Sequence, residues 1–234
     1  MKLPIEKRSP NQESRPEACV IDTLVLHYTG MKTAEAALTR LCDPATKVSA
    51  HYLVDEDGST TALVPETCRA WHAGEACWLG AHDLNDRSIG IELVNPGHEF
   101  GYRPFPEIQM VALEALLQDI LARHPILPER VLGHSDVAPD RRTDPGELFD
   151  WQRLARTGIG CWPEAQVEGR VLPIGEVQQL LQRYGYAVPL SGEADAATKK
   201  VVEAFQRHFR PTRIDGKADV ETMAQLFGLL ARKS

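Results

Sequence analysis

Apolar residues in the first two thirds of the chain fall in short, strand-like runs separated by helical stretches. In the last third they recur at helical spacing only. The stretch Cys19–Gly30 is β-branched and apolar until Gly30 ends it, which predicts a buried strand with His27 near its C-terminal end. Alternation puts Thr23, Val25 and His27 on one face, and Leu24, Leu26 and Tyr28 on the other. Thr33 then caps a short helix through Leu41. Ser49–Asp55 reads as a second strand, turned by Glu56-Asp57-Gly58 into Thr60–Val64 as a hairpin. Trp71–Gly74 and Trp78–Gly80 form an aromatic, glycine-rich irregular stretch. In a third strand, Ser88–Asn95, Ile89, Ile91 and Leu93 share one face and Ser88, Gly90, Glu92 and Val94 the other. The longest helix is expected over Glu107–Arg123, with Met110, Leu113, Leu117, Ile120 and Leu121 as its apolar stripe and His124-Pro125 as its stop. A short strand at Val131–Leu132 and a helix over Phe149–Arg156 complete the unit. Strands interleaved with helices predict an α/β fold, a mixed central β-sheet flanked by helices.

The texture changes after Pro163. Val177, Leu180, Leu181 and Tyr184 make a helical stripe stopped by Gly185. Two similar segments follow, Gly192-x-x-Asp195-x-x-Thr198 and Gly216-x-x-Asp219-x-x-Thr222. Each is a glycine turn and a capping aspartate ahead of an amphipathic helix, lined by Val201, Phe205 and Phe209 in the first and Met223, Leu226 and Leu230 in the second. The expected organisation is a polar, proline-rich arm over 1–17, lying on the surface or disordered, and a main domain over 18–163. A linker over 164–170 and a small three-helix domain over 171–234 follow, the last too short for a cleft of its own and better suited to binding.

Composition narrows the function. A net charge of −7 over 234 residues provides no basic face, which argues against nucleic acid or an anionic membrane as partner. No apolar run approaches the roughly 20 residues that span a bilayer, so no transmembrane segment is expected. The first ten residues lack an apolar signal core, and five scattered cysteines without C-x-x-C spacing read as reduced thiols. Both point to the cytoplasm, with the periplasm as the alternative for a chain trimmed of its signal. Nothing in the sequence sets an oligomeric state.

The chemistry concentrates in the loop Gly133–Gly146, which holds His134, Asp136, Asp140, Arg141, Arg142 and Asp144. A rigid loop after a strand is where α/β proteins tend to place their sites. Other candidates are His27, His51, His72 and Glu92, the last a carboxylate within a buried-looking strand, where an ionised acid must be paired or bound to a cation. On residues alone, two or more strand-end histidines and an acid converge on a hydrolytic metal. Structural readings of a strand-end histidine, and of Asp144 in an Asp-Pro-Gly turn, stay open.

Six blocks, in order, change that weight: Leu26-His27-Tyr28-Thr29, Ser49-Ala50-His51-Tyr52, Trp71-His72-Ala73-Gly74, Asn85 to Leu93, Gly133-His134-Ser135-Asp136 and Thr143-Asp144-Pro145-Gly146. Together they resemble the zinc-dependent N-acetylmuramoyl-L-alanine amidases of the AmpD/AmiD type, with a peptidoglycan-recognition-protein-like fold. The C-terminal segment, with its two Gly-x-x-Asp-x-x-Thr repeats and Phe205-Gln206, is similar to the helical peptidoglycan-binding domain of cell-wall hydrolases.

The resemblance implies that His27, His134 and Asp144 hold one Zn²⁺ per chain in an open, catalytic coordination. It makes Glu92 the catalytic acid–base and implies cleavage of the bond between N-acetylmuramic acid and L-alanine in peptidoglycan or (anhydro)muropeptides. The C-terminal domain would hold the enzyme on the polymer and raise its effective concentration. Arg142 stands where many members carry lysine, which keeps a cation for the oxyanion and puts any proton-transfer role in doubt. Trp71, His72 and Ala73 are expected to line the groove, Asn85 to contact substrate or fix a loop, and His51 to be structural. The rival readings are a non-catalytic peptidoglycan receptor and a zinc peptidase acting on the stem peptide.

Overall fold

The computed structural model describes residues 5–163 and 167–232. Glu164, Ala165 and Gln166 of the expected linker, and the first four residues of the arm, lie outside them. In chain order the elements are β1 (Ile5–Glu6), β2 (Gln12–Ser14), β3 (Thr23–Tyr28), α1 (Ala34–Cys42), β4 (Tyr52–Val54), β5 (Thr60–Ala62), β6 (Cys68–Ala70) and β7 (Ser88–Leu93). Then come α2 (Gly97–Phe100), α3 (Glu107–Arg123), β8 (Val131–Gly133), α4 (His134–Val137), α5 (Trp151–Arg156), α6 (Ile174–Tyr184), α7 (Ala196–Phe209) and α8 (Val220–Ala231).

Six strands form the main sheet in the order β1-β5-β4-β7-β3-β8. Only β4 and β5 run antiparallel, as the Glu56-Asp57-Gly58 hairpin requires; the other pairs are parallel. The sheet is thus mixed and flanked by helices on both faces. Leu24, Leu26, Ile89, Ile91 and Leu93 pack against the α3 residues Met110, Leu113, Leu116, Leu117 and Ile120. Leu116 joins the buried stripe, whereas Leu121 lies at its half-buried margin. Gln109 is fully buried on α3 and donates to the carbonyls of Val54 and Val94, pinning the helix to the ends of two strands.

The opposite face carries the chemistry. The parallel register sets Val25 beside Gly90 and pairs His27 of β3 with Glu92 of β7, whose side chains emerge side by side.

The arm is ordered, with most of its described residues exposed. Its strand β1 extends the main sheet beside β5, and β2 pairs antiparallel with β6. Ser9 and Asn11 are buried; Asn11 Nδ2 donates to the carbonyls of Asp43 and Val48, and Ser9 Oγ to that of Leu41. Arg15 reaches in to the carbonyls of Glu66, Asn85 and Ser88 and to the His51 ring. Such a segment is held by polar groups bonding to the backbone, which leaves no hydrophobic period to read.

The three C-terminal helices form where the stripes predict them. Asp195 accepts from Thr198 N and Asp219 from Thr222 N, so each repeat is an N-cap. A buried glutamine locks each turn: Gln178 bonds Thr198 Oγ1 and Gly192 N, and Gln206 bonds Thr222 Oγ1 and Gly216 N. The bundle is packed against the main domain as one continuous core, with Trp78 fully buried between Tyr184 and Tyr186. Gly185 is required there, because a Cβ at its position would lie 2.6 Å from the Trp78 ring.

Candidate active site

Three residues from separate elements meet at the sheet's C-terminal edge. His27 is the penultimate residue of β3, His134 opens α4 directly after β8, and Asp144 follows in the same loop, tied back by a bond from Ser135 N to its carbonyl. His27 Nδ1 lies 2.9 Å from His134 Nδ1, and each lies 3.0 Å from Asp144 Oδ2. All three side chains are buried.

The outer nitrogens decide what these atoms can do. His134 Nε2 lies 3.0 Å from the Ala73 carbonyl, which can only accept, so His134 carries its hydrogen on Nε2 and presents a bare Nδ1. His27 Nε2 lies 3.1 Å from His72 Nδ1. Burial, and then the neighbouring His134 ring, push the His27 imidazole down to about 4, so it is neutral in ordinary buffer. Burial alone would raise the Asp144 carboxyl, but the two imidazoles hold it far below the usual carboxylate range. The cluster brings the bare Nδ1 of His134, the Nδ1 of His27 and one oxygen of the Asp144 carboxylate to a common point. A cation placed among these atoms would be held by all three. The three ligand atoms fit one metal ion.

Glu92 stands beside His27 with its Oε2 enclosed and without a hydrogen-bond partner among the described residues. Burial, then the negative charge of Asp144, raise its carboxyl well above the ordinary value, with Arg142 opposing. Arg142 is exposed at the rim and makes no ion pair among the described residues. Its neighbour Arg141 instead donates to the Ala73 and Glu75 carbonyls and fixes the loop that holds His134.

A cleft of about 510 Å³ opens over this group, with Tyr28, Met31, Arg40, Trp71, Phe100 and Arg142 among its walls. Trp71 and His72 border it as expected from the sequence. Ala73 and Asn85 do not. Ala73 is fully buried and contributes its carbonyl to His134, while Asn85 Oδ1 accepts from the backbone N–H of His72 and of Ala73 at 3.0 and 2.8 Å. A side chain committed to two backbone donors fixes the loop and has no acceptor turned to the cleft. His51 is fully enclosed, its Nδ1 accepting from Gly90 N, in keeping with a structural role. The wall from Pro96 to Phe100, including α2, went unread, since four residues leave no periodicity to detect.

Two imidazoles and a carboxylate able to hold a metal, with the unpartnered Glu92 Oε2 alongside in a cleft, define the class: a hydrolase. The chain belongs to the N-acetylmuramoyl-L-alanine amidase family, whose model matches residues 16–147, and a peptidoglycan binding domain model matches residues 172–226. It is 41% identical to the N-acetylmuramoyl-L-alanine amidase AmiD of Escherichia coli over 97% of this chain and 90% of that protein. It is 35% identical to the 1,6-anhydro-N-acetylmuramyl-L-alanine amidase AmpD of Enterobacter cloacae, over 62% of this chain and 85% of that one. The solved complex of E. coli AmiD with anhydro-N-acetylmuramic acid-L-Ala-D-γ-Glu-L-Lys superposes with a TM-score of 0.83 at 40% identity, covering 93% of this chain and 92% of that chain. AmpDh3 of Pseudomonas aeruginosa, solved with an anhydromuramic pentapeptide, gives a TM-score of 0.84 at 35% identity, covering 91% and 92%.

Proposed function

We propose that this chain hydrolyses the amide between the lactyl group of N-acetylmuramic acid and L-alanine, with one Zn²⁺ held by His27 Nδ1, His134 Nδ1 and Asp144 Oδ2. The observation that carries the reading is the pair of ring nitrogens, 2.9 Å apart and facing one carboxylate oxygen. Two imidazoles and a carboxylate are a donor set of catalytic zinc sites. When bound, the ion would polarise the amide carbonyl and acidify a water.

Glu92 takes the proton from the attacking water and returns it to the leaving L-alanine nitrogen. Its enclosure suits that task, because burial makes the carboxylate a stronger base and Oε2 is not committed elsewhere. Arg142 at the rim offers a fixed positive charge to the developing oxyanion. Guanidinium keeps its proton throughout, so proton transfer rests on Glu92 alone. Trp71 supplies an apolar wall for the sugar or the first peptide residues.

The substrates we infer are muropeptides with an anhydro-sugar end, supported by the ligands seen in two related structures, and peptidoglycan, supported by the C-terminal family match. Our proposed compartment is the cytoplasm, supported by cysteines scattered along the sequence without C-x-x-C spacing, with the periplasm as the alternative. Among the described residues no helix is long and apolar enough to cross a membrane. The test is mass spectrometry of products from the zinc-loaded protein on a soluble anhydro-muropeptide and on sacculi. Release of the intact stem peptide with a free L-alanine amine is expected. Cuts within the peptide would make it a peptidase, and binding without products a receptor.

A further inference from the structure

We propose that His72 and Ser88 are positioning residues that hold His27 in the single tautomer able to present Nδ1 to a metal. The inference rests on the metal reading above and adds to it two residues outside the set of ligand atoms.

The hydrogens can be followed one at a time. Ser88 is fully buried, and its hydroxyl donates to the Leu84 carbonyl at 2.6 Å. A hydroxyl has one hydrogen, so toward His72 Nε2, 3.0 Å away, Ser88 Oγ can only accept. His72 therefore carries its hydrogen on Nε2 and has a bare Nδ1. That nitrogen lies 3.1 Å from His27 Nε2, which must then be the donor. With its hydrogen on Nε2, His27 turns a lone pair toward His134 and Asp144. The relay starts at a backbone carbonyl, which cannot reverse its role, and so the direction is set along its whole length.

Three further features hold the relay in place. Gly90 leaves the space for the ring: a Cβ there would lie 2.3 Å from His72 Cγ. Asn85 Oδ1 holds the His72 backbone N–H at 3.0 Å. The His51 ring packs edge-on against His72 at 5.7 Å. His72 thus occupies the room that Ser88 and Gly90 leave beside Glu92 on β7.

Without the relay the balance reverses. Asp144 Oδ2, 3.0 Å from His27 Nδ1, is a strong acceptor that favours the hydrogen on Nδ1, and a protonated Nδ1 is no ligand. The relay opposes that competitor. Partners that orient metal-ligating histidines are worth about 10–100-fold in metal affinity.

The experiment measures zinc affinity by competition with a chromogenic chelator, and His27 ring protonation by ¹⁵N NMR of the metal-free protein. It uses the full chain as wild type, His72→Phe and Ser88→Ala. The wild type is expected to bind one zinc and, metal-free, to show His27 protonated at Nε2. His72→Phe should bind zinc about 10–100-fold more weakly with the His27 hydrogen moved to Nδ1, and Ser88→Ala should show the same change to a smaller degree. Wild-type zinc affinity in both variants, or an Nδ1 hydrogen in the metal-free wild type, overturns the relay while leaving the metal site intact. A wild type that binds no zinc overturns the metal reading and the relay together.

Discussion

Two histidine–aspartate clusters lie at either end of one short helix, and they behave in opposite ways. At the start of α4, His134 meets His27 and Asp144 with every imidazole hydrogen directed outward, to the Ala73 carbonyl and to His72. Two residues later, Asp136 turns to the helical bundle. There it accepts from Tyr186 Oη at 2.6 Å, from His208 Nδ1 at 2.7 Å and from Gly133 N at 2.8 Å. The His208 ring lies between Trp151 and Phe209, stacked at 3.8 and 3.9 Å. Residue types and burial are alike. The difference is where the hydrogens point: the seam's carboxylate is completed by donors, whereas the cleft presents lone pairs that need a cation. A buried cluster left one positive partner short can take a metal, and one whose carboxylate is filled by donors is a clamp.

That contrast can be attacked from its strongest side first. His27→Ala should remove zinc and bring muropeptide hydrolysis to background, measured as metal content and product release; retained turnover would break the comparison at once. Glu92→Gln should keep its zinc and lose about 10²–10⁴-fold in kcat, because it removes proton transfer and leaves the ligands alone. His208→Ala should do the reverse. It leaves Asp136 buried and short of a donor, costing roughly 3 kcal/mol in urea unfolding, with zinc affinity within a few-fold of wild type.

A third acid sharpens the same point more gently. Burial alone would raise the Glu66 carboxyl, but bonds from Arg123, His124 and Tyr52 bring it down to about 2. A depressed carboxyl contributes stability that is fully present above its unfolded value, near 4.5, and is lost as pH falls toward 2. Glu66→Gln should remove roughly 2 kcal/mol at neutral pH and flatten the stability profile across that window.

Much of this was legible in the residues, for identifiable reasons. Period-two runs marked β3 and β7 and placed His27 and Glu92 on one kind of face, and a 3.6-residue stripe marked α3 and the bundle helices. The pairing of His27 with Glu92 needed the register, which depends on contacts 65 positions apart in sequence. The sequence leaves Asn85 as a substrate contact or a loop brace, and only the position of the His72 and Ala73 amides separates the two. The arm escaped because Asn11 and Arg15 bind carbonyls, a kind of order with no hydrophobic signature. Asp136 and Asp144 lie eight residues apart in one loop, and composition cannot say which faces a cleft and which a seam.

Zinc stoichiometry, measured side by side on the purified wild type, Asp144→Ala and His208→Ala, tests the contrast most directly. The hydrogen-bond geometry predicts one zinc in the wild type, none retained by Asp144→Ala, and one in a less stable His208→Ala. Equal zinc in the wild type and Asp144→Ala, or loss from His208→Ala while it remains folded, would contradict it.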